Sequence, residues 1–200
     1  MKKEALIIFL CDDDPGKLNT RLADEIGAER ALLVQKKLLE HTHIITYRLE
    51  QDKFVFYPGE ITEHDQWNGR VYIKEKQAKE ELGERIKLAF SNLFQLGYRK
   101  VIMIGSISPD LSEQHIKEAF SRLDNYDPVI GPSMLGGYYL MGMNHYIPEL
   151  FDEKEWSSGT LLADTIKDTV RLRKTCTFLD ELRDIDTAAD LAYFGYLESL

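Results

Sequence analysis

The sequence has only two cysteines in 200 residues. Cys11 and Cys176 are far apart and belong to no C-x-x-C pair, which excludes a disulfide framework or a cysteine-rich zinc site and fits reduced thiols buried in strands. No run approaches the roughly 20 apolar residues of a membrane-spanning helix. The short apolar stretch near Met1 ends in Cys11-Asp12-Asp13-Asp14 and lacks a small-residue cleavage site, so it reads as a first strand, not a leader. Positive charge is outnumbered, 25 Lys and Arg against 34 Asp and Glu. The formal net charge of -9 repels phosphate backbones and anionic lipid, which argues against nonspecific nucleic-acid or membrane binding while leaving room for a local anion pocket. There is no G-x-x-x-x-G-K-[ST], no G-x-G-x-x-G and no G-x-S-x-G, so P-loop, dinucleotide-binding and hydrolase-elbow chemistries lose their main supports. A cytoplasmic protein is the resulting expectation.

What is present suits one well-buried core. The length and an apolar fraction of 44% support a single domain over residues 1–200. Ala5 to Leu10 reads as a strand, and Leu22, Ile26, Leu32, Leu33 and Leu39 follow with helical spacing. Lys53 to Tyr57 is a second strand. A helix is predicted from Glu80 to Leu96, with Gly97 at its C-cap. Val101 to Ile104 reads as a buried central strand and Ser112 to Leu123 as a helix. Val129-Ile130, Tyr138 to Met141 and Thr175 to Leu179 read as strands, Thr160 to Val170 and Thr187 to Leu200 as helices. This alternation predicts an α/β fold, a three-layer α/β/α sandwich on a mainly parallel sheet, with ligands at the carboxyl ends of the strands.

The informative residues are therefore those after each strand. Pro15-Gly16 makes a tight turn, and Lys17 and Arg21 could face a diphosphate with free N–H groups at the helix start. The same residues also suit a solvated turn with ordinary surface charges. Ser108 could cap a helix beginning at Pro109, with Asp110 complementing its dipole. Gly136-Gly137 before a strand allows close approach of a ligand or of another backbone. Asp184 and Asp186 precede the last helix, where Asp186 or Thr187 could simply be its cap. His41-Thr42-His43 is a poor metal pair because residues two apart point to different faces of a helix. His145 reads as a surface histidine.

Taken in order, Pro15-Gly16-Lys17, Thr20-Arg21-Leu22, Gln77, Leu82-Gly83-Glu84-Arg85, Gly105-Ser106, Ser108-Pro109-Asp110-Leu111, Gly131-Pro132, Gly136 to Gly142, Trp156-Ser157, Asp184-Ile185-Asp186-Thr187 and Asp190-Leu191 carry a resemblance. Together they resemble a bacterial family grouped with glycosyltransferases, DUF2064 or the selenodomain-associated transferase 1 group. The resemblance covers nearly the whole chain and implies a GT-A-like nucleotide-diphospho-sugar transferase fold. The departures concern chemistry. Ile107 stands where the family pattern G-[ST]-D-x-P-x-L has aspartate, Leu135 where G-P-x-x-D-G-G-Y has aspartate, and Asn19 where K-T-R-L has lysine.

A GT-A-type site uses a carboxylate at the end of the central strand to hold a divalent ion on the donor diphosphate. Aliphatic side chains offer no oxygen. The resemblance thus implies a nucleotide or nucleotide-sugar ligand, with Lys17, Arg21, Gly136 and Gly137 as substrate-binding residues. Asp184 and Asp186 are the remaining candidates for Mg or Mn, whose binding is expected to be weak or absent. The alternative is a noncatalytic nucleotide-binding or regulatory domain on the same scaffold. No nucleic-acid or membrane partner is expected, and catalytic residues, donor, acceptor and oligomeric state are not readable.

Overall fold

A computed structural model of the chain describes residues 4–11, 20–156 and 158–195. Within them the elements run in the order β1 (Glu4–Phe9), α1 (Thr20–Ile26), α2 (Ala28–Tyr47), β2 (Asp52–Tyr57), β3 (Tyr72–Lys76), α3 (Leu82–Gln95), β4 (Lys100–Ile104), α4 (Glu113–Arg122), β5 (Val129–Pro132) and β6 (Tyr138–Met143). A 3-10 turn (Pro148–Leu150), α5 (Leu161–Arg171), β7 (Thr177–Phe178) and α6 (Ala188–Tyr193) complete the described chain. The seven strands form one sheet in the order β3-β2-β1-β4-β6-β5-β7. All run parallel except β6, which pairs antiparallel with both β4 and β5.

The central strands are apolar throughout because both faces are covered. In β1, Leu6 and Ile8 pack into a core shared with Ile116, Ala119 and Phe120 of α4, whereas Ala5, Ile7 and Phe9 join Ile86, Ala89, Phe90 and Leu93 of α3. The α3 periodicity thus seats it on one face while α2 and α4 occupy the other. A smaller cluster joins Leu22 of α1, Val34 and Leu38 of α2, and Ile185, Leu191 and Phe194 around α6.

Several local expectations are corrected. The helical spacing after β1 is two helices, broken at Gly27, whose φ of 87° suits glycine. Ala31, Val34 and Leu38 face inward, and Leu32 and Leu33 are exposed. Strand β3 was not anticipated: Tyr72-Ile73-Lys74-Glu75-Lys76 is an edge strand with one buried residue, and such strands are charged against further pairing. The helix after β4 starts at Glu113, in keeping with the Ser112 to Leu123 reading, and not at Pro109 with Ser108 as its cap. Ser112 caps it, accepting from the His115 N–H while the His115 side chain accepts from the Ser112 N–H. Cys11 is exposed beyond β1, and Cys176 is half-buried just before β7; burial, then the Asp127 carboxylate, pushes the Cys176 thiol up to about 11. His41 meets the Leu111 carbonyl at 2.7 Å, and His43 packs among Tyr47, Trp67 and Tyr72, with burial lowering its pKa.

Candidate functional site at the carboxyl edge of the sheet

In a sheet of this order the loops after β1, β4, β5 and β7 emerge on one edge. The loop carrying Lys17, with the Pro15-Gly16 turn and the Asp12 to Asp14 run, lies outside the described residues. The other three meet. Ile185 N–H donates to the Ile107 carbonyl at 3.1 Å, and Met134 N–H to the Leu182 carbonyl at 3.0 Å. The Ser108 hydroxyl donates to the Arg183 carbonyl at 3.3 Å. Main-chain bonds therefore lock the loop of residues 180–187 against the two preceding loops. Its far end is held by α6, where the Thr187 hydroxyl caps the Asp190 N–H and the Asp190 carboxylate accepts from Asp186 N–H, Thr187 N–H and the Thr187 hydroxyl.

The two carboxylates that flank Ile185 differ. Asp186 is half-buried and accepts from Arg21 Nη1 at 2.8 Å. Arg21 projects from α1, whose neighbour Glu25 accepts the Ala188 N–H at 2.7 Å; α1 and α6 thus hold each other through both contacts. Asp184 is 4% exposed, and its Oδ1 is buried with no hydrogen-bond partner among the described residues. Burial pushes its carboxyl up to about 6; the Ser133 and Ser108 hydroxyls beside it offset part of that, and the Asp186 and Asp190 carboxylates add to it. A buried carboxyl with a raised pKa at the ligand edge of an open sheet is a functional-site candidate.

Gly136 has φ of 80°, and a Cβ there would lie 2.0 Å from the Gly159 carbonyl oxygen. Its own carbonyl accepts the Leu162 N–H at 2.8 Å. Another backbone makes the close approach at Gly136. At Gly137 a Cβ would meet nothing within 4 Å, so open space remains beside it. Ile107 is half-buried and Leu135 is 41% exposed.

At the other end of the same edge stands a group that the strand-by-strand reading of loops passed over. Gln77, just after β3, donates from Nε2 to the carbonyls of Leu10 at 2.8 Å and Phe56 at 3.0 Å, fastening the ends of β1 and β2. Its Oε1 accepts from Arg85 Nη1 at 2.8 Å. Gly83, on the same turn of α3, leaves room for Trp156, whose Nε1 would lie 2.0 Å from a Cβ there. The indole stacks on Phe151, with 7° between ring planes. Thus Gln77, Gly83 and Arg85 form one assembly with Trp156, which is distant in sequence. The only signal for it was their joint presence in the family pattern.

This architecture, an open α/β sheet with one antiparallel strand and loops that meet at its carboxyl edge, is the GT-A-like fold of nucleotide-diphospho-sugar transferases. The chain belongs to the DUF2064 family, described as uncharacterised and conserved in bacteria, whose pattern matches residues 43–158. A protein from Desulfovibrio desulfuricans G20, provisionally assigned as a nucleotide-diphospho-sugar transferase, is 28% identical with a TM-score of 0.87, over 97% of this chain and 87% of that one. CMP:2-keto-3-deoxy-manno-octonic acid synthetase complexed with CTP shares the fold at 10% identity and a TM-score of 0.60, covering 99% of each chain. A manganese complex of Rv0371C from Mycobacterium tuberculosis H37Rv does so at 9% identity and a TM-score of 0.58, covering 100% of each. No curated protein matches the chain. Among the described residues no helix is long and apolar enough to cross a membrane.

Proposed function

We propose that this chain binds a nucleotide or nucleotide sugar at the carboxyl edge of its sheet, as a member of the glycosyltransferase-like group, with Arg21 and Lys17 directed to the diphosphate. The observation that carries the reading is the convergence of the Ile107, Ser133 to Gly137 and Asp184 to Asp186 loops on that edge, in a fold whose relatives include a CTP complex. Open α/β sheets bind ligands there because the strand ends and helix starts present unpaired N–H groups to an anion.

Manganese in a relative raises the question of metal here, and the donors among the described residues support a weak or absent protein-built site. Asp186 is engaged by Arg21, Asp184 is shielded, and Ile107 and Leu135 supply no oxygen. Among the described residues no three His, Cys, Asp or Glu side chains converge. They do not fit a protein-built cage, so a hard cation would need phosphate and water oxygens for most of its shell.

The second reading, a noncatalytic nucleotide-binding domain, is favoured by the same pair of aliphatic residues. Calorimetric titration of UDP and CDP, with and without manganese, tests both the site and the metal. Binding that changes little with metal is expected, and Ile107→Asp with Leu135→Asp should introduce metal dependence once folding of the double variant is verified. Absence of nucleotide binding overturns the proposal. Incubation of each bound nucleotide's sugar conjugates with a mixture of hydroxyl acceptors then separates the two readings: release of nucleoside diphosphate as the glycosyl group passes to an acceptor hydroxyl or to water marks a transferase, and unchanged conjugate a binding domain.

A further inference from the structure

Arg85 makes no ion pair with any described carboxylate, and its Nε is buried without a hydrogen-bond partner. Its one described side-chain hydrogen bond is with the neutral Gln77 Oε1. The amide orientation of Gln77 is fixed, because the two main-chain carbonyls on its other side require the NH₂ group. The guanidinium is thus held at a set position beside the ends of β1 and β2.

A brace for Gln77 would need only a neutral donor. A half-buried cation without a counter-charge is costly, and a positive charge near the amino end of α3 also opposes the helix dipole. The nearest acidic side chain in sequence, Glu84, is engaged by Lys87 at 3.5 Å. Both costs vanish when an anion sits against the free face of the guanidinium, and a planar fork of N–H donors suits phosphate oxygens.

We propose that Arg85, seated by Gln77, is a phosphate ligand of the carboxyl-edge site. It approaches from the α3 face of the sheet, whereas Arg21 approaches from the α1 face, so that a diphosphate would be gripped from both sides. This inference rests on the nucleotide reading above and adds a residue and a ligand group to it.

The test is calorimetric titration of wild type, Arg85→Met and Arg85→Lys with pyrophosphate, UDP, CDP, uridine and cytidine, after each variant's melting curve has shown it folded. Arg85→Met is expected to weaken pyrophosphate and the better diphosphate about ten- to a hundred-fold, the range of a hydrogen bond to a charged group, and to leave the matching nucleoside unchanged. Arg85→Lys, which keeps the charge and loses the fork, should weaken the diphosphate by a smaller factor. Equal diphosphate affinity in wild type and variants overturns the Arg85 assignment and leaves the nucleotide reading standing. A loss as large for the nucleoside as for the diphosphate also overturns it, since Arg85 would then serve the base or the loop geometry. If Arg85→Met does not fold, Arg85→Lys alone decides by the same split. Failure of wild type to bind any of the five compounds overturns both readings.

Discussion

The two edges of the sheet treat charge differently. At the amino edge, Lys100 at the start of β4 reaches Glu4 of β1 at 3.3 Å and Asp124 at 2.8 Å, and also donates to the Phe120 carbonyl at 3.0 Å. Burial alone would depress its pKa, but Asp124 and Glu4 outweigh it and the net direction is upward. Nearby, burial raises the Asp127 carboxyl while the Asn144 N–H and His145 pull it back. At the amino edge the neutral Gln51 Oε1 is buried without a partner among the described residues, whereas at the carboxyl edge the atoms so left belong to charged side chains, Arg85 Nε, Arg183 Nε and Asp184 Oδ1. Buried polar groups are ordinarily satisfied, so charged exceptions that share one edge call for an explanation. The amino edge pairs its charges within the chain; the carboxyl edge keeps bonding capacity of charged groups in reserve, as the proposed ligand site requires.

The largest expected effect tests whether that reserve sits on a rigid frame. Gly136→Ala forces a side chain into a left-handed backbone and against the Gly159 carbonyl, which should cost about 3 kcal/mol. Gly137→Ala, with open space around it, should cost less than about 1 kcal/mol. Denaturant unfolding of both variants measures the contrast, and equal losses would show that the hairpin is pliable.

Next comes Asp184, whose carboxyl rises from 3.8 in the unfolded chain to about 6. The folded state holds its proton more tightly, so the contribution is favourable below about pH 4 and is lost as pH rises towards 6 and beyond. The shift corresponds to about 3 kcal/mol. Asp184→Asn, which removes the charge but keeps a polar side chain to satisfy, should therefore stabilise the ligand-free protein by about 1–2 kcal/mol at pH 7.5. The gain should shrink as pH falls through the same window. Urea titrations at pH 5 and 7.5 check the sign; destabilisation at pH 7.5 would mean that the ionised carboxylate is already compensated.

At the amino edge the same kind of change should do the reverse. Lys100→Met strands Glu4 and Asp124 and should lower stability by about 1–2 kcal/mol, with the loss smaller in high salt. Smallest of all, Arg85→Met should alter the stability of the ligand-free protein by less than about 1 kcal/mol, since a lost contact with Gln77 is offset by relief of an unpaired charge. If Arg85→Met costs as much as Lys100→Met, the two edges do not differ in the way described.

The fold was legible where burial imposes a single period. β1, β4 and α3 have runs or stripes that only a sheet covered on both faces explains, and they fall within a residue or two of their predicted bounds. β3 was not legible, because an edge strand with alternating charges reads as surface loop. The turn at Ser108-Pro109 resembles a helix start in composition, yet Ser108 is turned inward towards Arg183 and the cap is Ser112. In the site, the closeness of Arg21 and Asp186 is a tertiary fact that no spacing encodes. The Gln77 to Arg85 contact spans a loop between a strand and a helix, where neither period applies. Lys17 falls outside the described residues, so its part in the site rests on the resemblance alone.

The packing of Trp156 over Gly83 has an optical consequence. The chain has two tryptophans. Trp67 is 2% exposed and edge-on to Tyr72, on the opposite face of the sheet, far from any event at α3. Trp156 is half-buried and rests on the turn that presents Arg85. A Trp67→Phe variant would therefore leave a single indole whose emission reports on that turn, and binding at the carboxyl edge could be followed without an attached label.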